Sequence, residues 1–99
     1  MAQDPRTFLV LAEINRCLLV LDRVQHMNLT DGEKLRCAQD MIEFRDLPVY
    51  SGEEVIGVRR RVLSILAAIA QEATMRDPIE AARLRISDLV GESRDRAPA

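Results

Sequence analysis

The sequence has no long apolar run, only two cysteines, a single histidine, a single lysine and four scattered glycines, and each shortage excludes a class of function. A membrane-spanning helix needs about 20 consecutive apolar residues. Here runs such as Phe8–Ala12 end within a few residues at a charge, Glu13 in this case. The amino terminus lacks a basic stretch followed by an apolar segment and a small-residue cleavage site, which predicts no secretory leader. Cys17 and Cys37 are too few for a disulfide framework, so the expected compartment is the reducing cytoplasm. Fourteen basic residues, all arginine except Lys34, stand against sixteen acidic ones for a net charge of −2. Nucleic-acid binding usually leaves a strongly basic domain or face, and this balance supplies none.

What is present points to helices. The 99 residues suffice for one domain, and 47% apolar with 30% charged residues fits a globular chain. Four helix starts are written out. Asp4-Pro5 sets a cap acceptor before a proline at the first helical position. Thr30 with Glu33, and Ser51 with Glu54, have the spacing of the capping box. Asp77-Pro78 with Glu80 combines cap, proline and a first-turn acid.

The periodicity agrees with these starts. Val10, Ile14, Cys17, Leu21 and Val24 share one helical face, as do Leu35, Ala38, Met41 and Ile42. Val55, Val58, Val62, Ile65, Leu66, Ile69 and Ala73 form a third face, and Ile79, Ala82, Ile86, Leu89 and Val90 a fourth. The spacing predicts helices over 5–27, 31–46, 52–75 and 78–91, two long and two short, with Gly91 as the last helix's cap. Short links favour antiparallel neighbours, hence an all-α, four-helix up-and-down bundle. The domain is expected to span 1–91, with 92–99 a disordered tail.

Chemistry-bearing constellations are thin. His26 and Asp22 lie one turn apart, but a zinc site wants three or four protein ligands, and Cys17 faces away within the apolar arc. A solvated helix-end histidine and two packing thiols are the expected roles. No phosphate-binding glycine loop and no Gly-x-Ser-x-Gly elbow occurs. Tyr50 is placed to staple onto Val55. The run Ile14–Leu21 followed by Pro48-Val49-Tyr50 resembles the small all-helical chorismate mutases, which implies arginines and a lysine reaching into a pocket for a dicarboxylate. Aligning the leucine runs sets Phe8 and Gln25 where that family has arginines, and Lys34 matches its lysine only loosely, so the carboxylate-binding set is missing. The reading is of a non-enzyme without metal or cofactor.

Two features remain. Phe8, Ala12 and Leu19 fall opposite the apolar arc of helix one with Leu9 at its boundary, while Ile56 and Leu63 widen the arc of helix three to roughly 200°. This surplus predicts a homodimer or another protein as partner. Arg59, Arg60 and Arg61 form the one basic cluster, a possible contact for an anion or acidic partner. The expected function is a small helical interaction protein: an adaptor, chaperone-like factor, or inhibitor or regulator of another protein. The alternative is a transcription-associated regulator touching nucleic acid through Arg59–Arg61, Arg83 and Arg85, although the proline-containing Leu47–Gly52 link does not suit a helix-turn-helix.

Overall fold

The computed structural model describes residues 5–43, 52–72 and 76–95, and these form four helices: α1 Pro5–Gln25, α2 Asp31–Glu43, α3 Glu53–Ala70 and α4 Pro78–Asp95. Two of the helix starts carry the expected caps. Thr30 Oγ1 accepts the Glu33 amide at 3.2 Å while Glu33 Oε1 accepts the Thr30 amide at 3.0 Å, the reciprocal pair of a capping box. These bonds from the Thr30 backbone and side chain hold the Glu33 carboxyl below its ordinary range. At α4, Asp77 Oδ1 accepts the Glu80 amide at 3.2 Å, and Asp77 takes φ 44°, a left-handed conformation that aspartate tolerates better than most residues. Asp4 and Ser51 lie outside the described residues. The residue preceding α3 is Gly52, extended and without a side-chain cap, so the first-turn acids Glu53 and Glu54 are what complement that helix end.

The α1–α2 junction is held by side chains answering orphan carbonyls. Lys34 Nζ reaches back from α2 to donate to the Gln25 carbonyl at 3.0 Å, placing a cation at the negative end of α1. His26 Nδ1 lies 2.9 Å from the Asp22 carbonyl, which accepts from it when that nitrogen carries the proton.

Helix lengths differ from expectation. They are 21, 13, 18 and 18 residues, not two long and two short. α3 ends at Ala70, where the Gln71 and Glu72 amides bond to the Ala68 and Ile69 carbonyls. α4 runs through Gly91 to Asp95. A glycine ends a helix by turning left-handed, and no glycine here has a positive φ. Gly91 therefore sits inside the helix, at the modest cost of an interior glycine.

The predicted faces make the core. Ile14, Leu21, Ile42, Leu66, Ile69, Ile79 and Ile86 are fully buried, joined by Val10, Cys17, Val24, Leu35, Ala38, Val55, Val62, Ala82 and Leu89. Met41, Val58, Ile65 and Val90 pack half-buried against them, while Ala73 and Tyr50 lie outside the described residues. α1 touches all three other helices, most extensively α4. Each large side chain so buried is worth about 1.5–3 kcal/mol. Among the described residues no helix is long and apolar enough to cross a membrane.

Candidate functional site

The outer face of α1 lies opposite its buried stripe. Phe8, Ala12, Asn15, Leu19, Asp22 and His26 are all exposed, and they follow one another at steps of four and three residues, so they form one line along the helix. Phe8 and Leu19 are each 61% exposed, the most exposed large apolar side chains among the described residues. Leu9 is half-buried at the border of this face. The α3 residues grouped with it by sequence behave differently: Ile56 and Leu63 are half-buried, and Leu63 packs onto the core. Leu84 on α4, 58% exposed, was not anticipated; it stands apart from the core series Ile79, Ala82, Ile86 and Leu89, a signal legible in hindsight.

Beside the α1 face runs an open groove of about 610 Å³, lined by Arg16, Leu19, Val20, Asp22, Arg23 and His26 of the first helix and its end, and by Met41 of α2. Its polar groups are two guanidiniums, one carboxylate and one imidazole. Among the described residues no three His, Cys, Asp or Glu side chains come together to hold a metal ion.

The arginine cluster is split by the structure. Arg59, only 9% exposed, turns into the core edge and donates from Nε to Glu13 Oε2 of α1 at 2.9 Å. Glu13, 6% exposed, is also held by Arg16 through both oxygens, at 3.0 and 2.7 Å. Arg16 Nη2 reaches the Ile42 carbonyl of α2 at 3.5 Å, so the arrangement ties three helices together. Burial alone would push the Glu13 carboxyl up, but hydrogen bonds and charge from Arg16 and Arg59 together hold it below its ordinary range. The sequence analysis does not single out this carboxylate and groups Arg59 with its neighbours as a basic cluster. Yet Arg59 occupies the step between Val55 and Val62 in the buried series of α3, which is the signal that could have found it.

Arg60 is exposed, and Arg61 pairs with Glu92 of α4 at 2.7 Å. Arg83 forms a two-pronged pair with Glu80 at 2.9 Å, and Arg85 lies 3.5 Å from Glu72. The hydrogen bonds from Arg83 hold the Glu80 carboxyl below its ordinary range. Four of the five arginines considered for an anionic partner thus sit beside carboxylates of the same chain. Phe8, where the mutase-like alignment would want an arginine, points to solvent, and Gln25 donates at 3.4 Å to Asp77.

No protein-family model, no curated protein and no solved structure matches the chain.

Proposed function

We propose that the chain is a small, non-catalytic interaction protein of the cytoplasm that works through the outer face of α1, pairing with a second copy of itself. The observation that carries this reading is the placement of Phe8 and Leu19, each 61% exposed, on the side of α1 turned away from the core. In this reading the helices run up and down. The Gln25–Asp77 contact, which brings the end of α1 to the start of α4, supports that arrangement.

The face is self-complementary. When two copies of α1 cross antiparallel, Phe8 of one lies over Leu19 of the other, and Ala12 lies over Asn15 on both sides of the axis. The small alanines then sit near the crossing, where backbones approach, and the bulky side chains flank it. Removing two such side chains per copy from water yields about 1–2 kcal/mol each, against an association cost of about 4 kcal/mol or more. These two side chains per copy by themselves support roughly a millimolar dissociation constant, so a dimer populated at micromolar concentration draws also on the rest of the face, Leu9 and Ala12 included. The same exposed stripe would serve a different protein carrying an apolar helix, as an adaptor or inhibitor does.

Solution mass by light scattering across the micromolar range tests the reading. The expected result is a rise from 11.2 kDa toward twice that value with concentration, abolished in Phe8→Ser/Leu19→Ser while thermal stability holds. If that variant has unchanged mass, stability and partner binding, the outer face of α1 is not an interface.

A further inference from the structure

Three sulfur atoms meet at the edge of the α1–α2 junction. Cys37 Sγ lies 3.9 Å from Met41 Sδ, one turn further along α2, and 3.9 Å from Met27 Sδ in the turn that follows α1. Residues 37 and 41 share a helix face by their spacing. Met27 is fixed from the other side, its amide bonded to the Val24 carbonyl at 3.0 Å. All three side chains are half-buried against the core, and Met41 also lines the groove beside α1, which gives a route from solvent.

We propose that Met27, Cys37 and Met41 form a site for one soft monovalent metal ion, copper(I), per chain. Thiolate and thioether sulfur are the soft donors that select copper(I) over harder cations. The spacing suits the ion. Three sulfurs at a metal–sulfur distance of about 2.3 Å in a trigonal plane stand about 4 Å from one another. Both separations from Cys37 already match, so each methionine stands at a bonding distance from an ion held by the Cys37 sulfur.

Charge argues for the same ion. On binding, Cys37 releases its thiol proton to solvent, its thiolate bonds the metal, and each methionine donates a sulfur lone pair. Copper stays in the +1 state and no electron is transferred. One proton leaves and one monovalent cation enters, so the half-buried, apolar site gains no net charge. A divalent ion would leave a positive charge in these surroundings, which is costly without a further anionic ligand.

The test is an anaerobic titration of the full chain with copper(I) against a chromogenic copper(I) chelator, alongside Cys37→Ser, Met27→Leu, Met41→Leu and Cys17→Ala. Leucine nearly conserves methionine volume, and unfolding curves without metal establish that those variants are folded. The expected result is one copper(I) per chain, loss of binding in Cys37→Ser, and affinity at least about tenfold weaker in each methionine variant, with Cys17→Ala binding as the unaltered chain does. Copper(I) should also raise the melting temperature of the unaltered chain and not that of Cys37→Ser. Methionine variants that bind as tightly as the unaltered chain would reduce the site to an ordinary thiol and overturn the proposal. So would the absence of competition with the chelator.

Discussion

Arg59 of α3 donates its Nε–H to Glu13 Oε2 of α1 across 2.9 Å, and both side chains are almost completely removed from solvent. With Arg16 on both oxygens of the same carboxylate, one anion is held between two guanidiniums at the meeting point of three helices. Hydrophobic burial is indifferent to small rotations of one helix about another. This cluster is not, because its hydrogen bonds close only at one setting of α1 against α3.

Removing the anion should cost much more than replacing the pair. Glu13→Gln keeps the shape but leaves two guanidiniums facing each other with a neutral amide between them. The expected loss is roughly 2–4 kcal/mol, at the lower side of what breaking a buried pair costs because Arg16 is partly solvated. The double replacement Glu13→Leu/Arg59→Met should lose less than Glu13→Gln alone. Urea unfolding of the three chains measures this, and a Glu13→Gln chain as stable as the original would show the cluster to be inert.

Acid should weaken the same cluster. Glu13's folded carboxyl titrates below its ordinary range, so the stabilisation it provides is complete above the unfolded value of about pH 4 and is lost as pH falls through the lowered folded value. Glu33 and Glu80 are lowered too, so they add to any acid transition. The contribution of Glu13 is isolated by comparison: between about pH 5 and pH 3, stability should fall less steeply in Glu13→Gln than in the unaltered chain. Parallel slopes would remove Glu13 from the account.

The legible parts of this fold are those governed by short-range rules. Thr30 and Glu33 announce a cap within four residues of sequence, and the steps between Val10, Ile14, Cys17 and Leu21 announce a buried stripe; both stand as read. Phe8 and Leu19 were legible for the same reason, since a helix face follows from spacing alone. Glu13 was not. A charge beside a core stripe reads as margin until a partner on another helix is known, and the sequence separation of 46 positions from Glu13 to Arg59 hides that pairing. Ile56 and Leu63 illustrate the converse, for an apolar shoulder on α3 is surplus only if no neighbouring helix leans over it. The sulfur cluster likewise needs the turn after α1 to bring Met27 onto α2.

Thr30 offers a local check on the capping box. Thr30→Ala removes the acceptor for the Glu33 amide and should cost about 1 kcal/mol, seen as a lower urea midpoint with an unchanged slope. Thr30→Ser keeps the hydroxyl and should lose only a few tenths of that. Equal losses in the two variants would mean that the methyl group, rather than the cap, is what α2 needs.

Gly91 separates two readings of the end of α4. A left-handed glycine closing a helix resists substitution, since any side chain there is strained. Gly91 instead has no positive φ, lies within α4 and is exposed, with nothing beyond its own helical backbone and chain neighbours within 4 Å of where a Cβ would stand. Alanine at such a position should stabilise the protein by about 0.5–1 kcal/mol, through higher helix propensity and a less flexible unfolded chain. Gly57, inside α3 with the same open space, is the internal standard and should respond alike. Gain at both sites places Arg61 and its partner Glu92 across two continuous helices; loss at Gly91 with gain at Gly57 would end α4 before Glu92 and leave that ion pair unsupported.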